Sequence, residues 1–189
     1  MKSRGTLALA LVLLSGCDKT APANGPATAA AATNMSATNF NIPGWPPTKA
    51  QPRLPVIKLF INGHLIDAEA AIQPVQLATG MMFRETMGAD EGMLFVFAEP
   101  QEVSFYMRNT IVPLQLAYID RDGVIQELHE LQPKNESPVP SRTNDIQFVL
   151  EMNTGWFDRN QISTGAVVRS EAGGLRNAFN FGRGSPPPR

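Results

Sequence analysis

The sequence predicts a mainly β domain: a small antiparallel β-sandwich or barrel, a jelly-roll arrangement included, with one or two short helices. Three observations carry that expectation. Between residues 53 and 169, short runs that alternate apolar with polar, or are apolar throughout, follow one another closely, which is the strand signature. Asn62-Gly63 and Asp122-Gly123 separate adjacent runs and accept the backbone of tight hairpin turns. Several runs are apolar on both faces, which suits a closed or two-layered structure built from many short strands.

In chain order, VIKLFI and HLIDAEAA flank Asn62-Gly63 and form a first hairpin. The next stretch, IQPVQLATGMMFRETM, has mixed spacing and reads as a short helix or an irregular crossing segment. GMLFVF is a compact apolar strand closed by Glu99-Pro100. EVSFYMR alternates, with Val103, Phe105 and Met107 on one side and Ser104, Tyr106 and Arg108 on the other. PLQLAYID and VIQELHEL flank Arg121-Asp122-Gly123 as a second hairpin. IQFVLEM is a further strand, TGWFDRNQI suits one short helix, and GAVVR closes the domain as a last strand. No internal repeat is visible.

The 189 residues divide into an export segment over 1–16, a tether over 17–52, the β domain over 53–171 and a tail over 172–189. The domain alone, at roughly 120 residues, is of ordinary single-domain size. Residues 18–52 are mostly Ala, Thr, Asn and Pro, with almost no charge, and bury too little apolar surface to offset their ordering entropy. As a coil of about 35 residues the tether reaches on the order of 30 Å. The tail, GGLRNAFNFGRGSPPPR, has no period and many breakers, so disorder is expected there too. Formal net charge is -1 and the sequence pI is about 6.1. No basic stripe able to neutralise phosphates stands out, so nucleic acid is not an expected partner.

At the N-terminus, Lys2 and Arg4 precede the apolar run Leu7–Leu14, and Ser15-Gly16 follow it. The run is shorter than the roughly 20 residues that span a bilayer, so the order is that of a signal peptide. Leu14-Ser15-Gly16-Cys17 resembles the lipobox of bacterial lipoproteins, which implies cleavage before Cys17 and acylation of its sulfur. Several acyl chains anchor a protein stably where one does not. A plain secretory peptide with an incidental cysteine is the alternative. The chain has one cysteine, so no intramolecular disulfide can form within it. The expected location is the bacterial cell envelope, on the periplasmic face and lipid-anchored. Asp18 resembles the residue that retains some lipoproteins in the inner membrane, and inner against outer membrane is left open.

GMMFRETMGADEGMLFVF, SFYMRNTIVPLQLAYIDRDGVI and FVLEMNTGWFDRNQISTGAVV, taken together and in this order, resemble the domain of unknown function 192 family. The resemblance covers about residues 56 to 169. It implies a compact all-β domain, often exported, without an agreed activity. Two departures stand out: Gln115 replaces the family's usual acidic residue after Pro-Leu, and Tyr106 replaces its usual tryptophan. Glutamine hydrogen-bonds but does not titrate, so a binding or structural role at that position survives the change better than a catalytic one.

The candidate ligand site gathers Ser104, Arg108, Asn109, Thr110, Gln115 and Glu151 around one polar recess, with Arg84 as a second candidate. Arg108 offers a fork of donors to a carboxylate or phosphate, and Glu151 is expected to pair with Arg108 or Arg84. The plainer readings are that Asn109 and Thr110 bond the turn before Pro113, and that Arg84 braces a loop. His64 and His129 lack metal-ligand spacing, and the methionines read as core filler rather than Cu(I) ligands. No catalytic residue, metal or cofactor is therefore assigned. The expected function is a membrane-tethered binding or interaction module. Its partner would be a small anion, a peptide strand on a sheet edge, or an envelope protein, and the oligomeric state is open. The rivals are a hydrolase using Glu151 as acid or base, and a purely structural envelope protein.

Overall fold

The computed structural model describes residues 46–179. The signal segment, Cys17, the tether up to residue 45 and residues 180–189 lie outside the described residues. The elements are β1 (Val56–Ile61), β2 (His64–Ala71), α1 (Pro74–Thr79), β3 (Glu91–Gln101), β4 (Ser104–Phe105), β5 (Leu114–Asp120), β6 (Ile125–Leu131), β7 (Val139–Pro140), β8 (Ile146–Asn153), α2 (Trp156–Arg159), β9 (Val168–Ser170), β10 (Gly173–Gly174) and α3 (Leu175–Ala178). Among the described residues, no helix is long and apolar enough to cross a membrane.

Both expected hairpins are present. Asn62 and Gly63 adopt φ of 47° and 88°, the positive pair that a type I′ connection between β1 and β2 requires. At the second turn the Asp120 carboxylate accepts from the backbone N–H groups of Asp122 and Val124 at 2.8 and 2.9 Å. A Cβ on Gly123 would stand 2.7 Å from the Val168 carbonyl, so glycine is needed there for space as well as for its φ of 85°.

Eight strands form one sheet in the order β10-β9-β1-β2-β3-β8-β5-β6. It is mixed where an antiparallel arrangement was expected: β2 and β3 run parallel. The reason is the segment over 72–90, which carries α1 and returns the chain to the start of the sheet before β3 begins, as any parallel connection must. The sheet curls strongly. Val124 bridges Val167, so the β5–β6 turn touches the approach to β9, yet the sheet does not close into a barrel and remains sandwich-like.

The curl separates two apolar cores. On the inner face Leu59, Ile66, Leu94, Leu150 and Met152 pack with Trp156, Phe157 and Leu175. On the outer face Met93, Phe95, Leu116, Tyr118 and Val149 pack with Val103 and Met107. The outer layer comes from irregular segments. EVSFYMR, expected as a full strand, contributes only the two residues of β4, paired to β7. Its apolar side chains still point inward, and Phe105 sits edge-on to Phe95 and Tyr118 at centroid distances of 4.9 and 6.1 Å. The segment lies over the sheet rather than pairing with it. Residues 173–178 were expected in a disordered tail. Instead β10 pairs with β9 and Leu175 of α3, 1% exposed, enters the inner core, which makes a third short helix.

Candidate functional site

Strand register determines which polar side chains can meet. Successive residues of a strand face opposite sides of its sheet. The pairings Glu69↔Met93, Met93↔Glu151, Leu116↔Glu151 and Leu116↔His129 define one row across the outer face of β2, β3, β8, β5 and β6. Three titratable residues, Glu69, Glu151 and His129, therefore share that row, with Met93 and Leu116 between them.

Glu151 is the exceptional member. It is buried, its flanking row neighbours are Met93 and Leu116, and among the described residues its Oε2 has no hydrogen-bond partner. Burial alone pushes its carboxyl up from the ordinary value to about 8, because the apolar layer disfavours the charged form. At neutral pH it is mostly a neutral acid.

Its row neighbours are satisfied. Glu69 accepts from Arg53 at 2.8 Å, Arg84 at 2.9 Å and the Leu54 N–H at 2.7 Å. Arg84 also donates to the Pro52 carbonyl at 3.2 Å, while its buried Nε stays unpartnered. At the far end His129 Nε2 meets Glu127 Oε2 at 2.9 Å. The Arg142 N–H donates to the other oxygen of Glu127 at 2.7 Å. The His129 ring stands edge-on to Tyr118 at 5.4 Å. Tyr118 donates its hydroxyl to the Val139 carbonyl, and burial pushes its phenol up.

The remaining candidates take other places. Arg108 is half-exposed and pairs with Glu136 at 2.9 Å, its guanidinium 5.4 Å from the Tyr106 ring centroid; it does not pair with Glu151. Asn109 occupies the left-handed region at φ 54°, and its carbonyl accepts from the Phe83 N–H at 2.8 Å. Thr110 is buried; its hydroxyl donates to the Arg108 carbonyl at 3.3 Å, and its own carbonyl accepts from the Lys134 N–H at 3.0 Å. These two residues tie together the segments that cover the outer face. Ser104 Oγ is buried without a partner at the start of β4.

Gln115 lies on the opposite face from Glu151, since it pairs with Met152 and Leu116 pairs with Glu151. Its amide nitrogen donates to Glu130 and, at 2.6 Å, to Asp158. Its oxygen accepts from the Phe157 N–H at 3.0 Å. The amide thus separates two carboxylates and ties α2 to β5, so the six residues expected around one recess are divided by the sheet. Among the described residues, no group of three or more His, Cys, Asp or Glu side chains is arranged to hold a metal ion.

Sequence reasoning missed Glu69 and Glu127 as buried groups, and the contact of Glu127 with the half-buried His129. Glu69 carried a signal in its run of alanines, where a lone acid in a strand needs a partner. The i, i+2 spacing of Glu127 and His129 puts them on one strand face, but spacing alone does not report burial.

Residues 57–170 match the profile of the domain of unknown function 192 family, described as "Uncharacterized ACR". The chain belongs to that family. No curated protein matches it. Among solved structures it is similar to a "putative transcription regulator" from Sinorhizobium meliloti 1021, at 31% identity and a TM-score of 0.61, covering 64% of this chain and 98% of that one. It is also similar to a protein of unknown function from Novosphingobium aromaticivorans, at 30% identity and a TM-score of 0.60, covering 64% of this chain and 90% of that one.

Proposed function

We propose that this member of the domain of unknown function 192 family is an exported, lipid-anchored binding module whose ligand site lies on the outer face of the sheet, centred on Glu151. One observation carries the reading: among the described residues, a carboxyl oxygen of Glu151 is buried in an apolar layer with no hydrogen-bond partner. Natural folds pair such groups or replace them, since an unmet buried polar group costs about 1–3 kcal/mol. A position where leucine would be more stable, yet which holds an acid, is best explained by a partner from outside. The donors of Arg108 are engaged by Glu136, so the reading rests on Glu151. The regulator designation of the Sinorhizobium relative is not carried over, because a formal net charge of -1 gives no basis for phosphate binding.

The anchor is supported by the Lys2–Cys17 pattern. Mass measurement on the mature protein is expected to show acylated Cys17 as its first residue; a free thiol preceded by the intact leader would refute it. The site is tested by thermal denaturation against a mixed panel of small acids, amines and neutral amides. At least one class should raise the melting temperature of the wild type and leave Glu151→Leu unmoved. Shifts that persist in the variant place the site elsewhere.

A second reading, hydrolysis with Glu151 as general acid, is favoured by one feature: a carboxyl held near 8 is protonated at neutral pH, as a general acid must be. Turnover of fluorogenic esters or glycosides, lost on Glu151→Gln, would establish it; no turnover by the wild type would remove it.

A further inference from the structure

We infer that the Glu151 site takes a small organic cation: a primary amine on an apolar stem, its ammonium docked on the Glu151 carboxylate. This rests on the proposed site and adds the chemistry of its ligand.

The charge inventory of the outer face points to that class. Arg84 and Arg53 are held by Glu69, Arg53 also reaches Glu91 at 3.3 Å, and Arg108 is held by Glu136. Arg142 lies 3.6 Å from Glu127, which His129 also contacts. Each of these cations already faces an acid, and none reaches Glu151. Of the other titratable groups that the register puts on this face, Lys58 is held by Asp67 at 2.9 Å, Arg169 stands on β9, four strands from β8, and Glu91 and Tyr118 bring no positive charge. Among the described residues, then, Glu151 is an acid without a counter-charge. An anionic ligand would meet a carboxyl with no cation beside it, whereas an ammonium would supply the missing partner, and a paired buried charge is tolerated where a lone one is not.

The surroundings specify the rest of the ligand. Met93 and Leu116 flank Glu151 in the row, and Met81, Met107 and Val103 belong to the same apolar cluster. Thioether side chains are adaptable and polarizable, and suit an alkyl or aryl stem better than a hydrated polyol. The cover is made of short irregular segments joined by a few backbone bonds, such as Phe83 N–H to Asn109 and Lys134 N–H to Thr110. Segments of that kind open locally at lower free energy than a central strand.

The binding step balances as follows. Before binding, Glu151 carries its proton; afterwards it is a carboxylate paired with an ammonium. The proton leaves to solvent, one for each ammonium bound, and no other bond changes.

The full-length mature protein in detergent is titrated calorimetrically with hexylamine, hexanamide and hexanoate at pH 7, in buffers of different ionisation enthalpy. Hexylamine is expected to bind with release of about one proton and to tighten about tenfold per pH unit between pH 6 and 7, the slope that one linked proton gives. Glu151→Gln, which keeps shape and hydrogen bonding but cannot ionise, should weaken hexylamine at least tenfold and abolish proton release. Hexylamine binding that is unchanged in Glu151→Gln, or that releases no proton, overturns the inference. If hexanamide or hexanoate binds in a Glu151-dependent way and hexylamine does not, the amine assignment fails and the site stands. If no probe depends on Glu151, in either the Gln or the Leu variant, both fail.

Discussion

Gln115 and Glu151 lie on adjacent strands one residue out of register, so the same sheet buries them on opposite faces. On the inner face, Gln115 uses its amide nitrogen on Glu130 and Asp158 and its oxygen on Phe157. On the outer face Glu151 leaves Oε2 without a partner. The first face is finished as architecture, with two carboxylates kept apart by a neutral donor. The second keeps an open polar group inside an apolar layer. The contrast shows that burial of a polar residue is not by itself a sign of function; what separates the two cases is whether the chain supplies the partner.

The largest expected effect is on the outer face and is read by pH. The unfolded chain gives up the Glu151 proton near the ordinary value of 4.5, whereas the folded protein holds it until about 8. Between those values the native state binds more protons, so stability falls as pH rises, by up to about 1.4 kcal/mol per unit, and levels off above 8. From pH 5 to pH 8 this group alone removes roughly 3 kcal/mol. Glu151→Gln should lose that slope in urea unfolding, and be the more stable protein at pH 8. Equal slopes in both proteins would mean that the Glu151 charge is compensated, and the contrast between the faces would vanish.

On the inner face the sign reverses. Gln115→Leu should cost about 2–3 kcal/mol, because it orphans the buried Phe157 N–H and leaves Glu130 and Asp158 without their shared donor. A neutral outcome at pH 7 would show that Gln115 is as dispensable as Glu151 and that the two faces do not differ in kind.

Arg84→Met addresses the satisfied end of the Glu151 row. It removes one of three donors to Glu69, while Arg53 and the Leu54 N–H remain. It also deletes an unpartnered buried Nε. The expected cost is about 1–2 kcal/mol, below the 3–5 typical of an abandoned buried charge. A loss well above that range would make Arg84 the main counter-charge of Glu69.

Much of this was legible in the sequence, and the reasons for the rest are specific. Asn62-Gly63 fixed the first hairpin because few residue pairs accept its dihedrals, and the alternation in EVSFYMR correctly turned Val103, Phe105 and Met107 inward. Alternation carries no information about strand direction, so the parallel β2–β3 pair was hidden. Nor does it give the register between distant strands, and a slip of one residue moves a side chain to the other face. That is why Gln115 and Glu151 looked like members of one recess. Glu151 was recognisable as an acid in an apolar run. That both expected partners, Arg84 and Arg108, were taken by other acids depends on contacts 15 and 28 residues apart in sequence.

The smallest effect is expected at Arg108, which tests whether the outer face is defined by Glu151 or by the surface above it. Its pair with Glu136 is half-exposed on both sides, and such pairs contribute about 0–1 kcal/mol. Arg108→Ala should therefore shift stability by no more than about 0.5 kcal/mol and reduce further at high salt, where screening removes what remains. The pH slope assigned to Glu151 should be unchanged, because the guanidinium neither pairs with that carboxyl nor contributes to its raised pKa. A slope that steepens in Arg108→Ala would mean that the arginine field reaches Glu151 through the cover. The site would then be a charged pair partly open to solvent, and the difference between a dry outer face and a closed inner one would have to be redrawn.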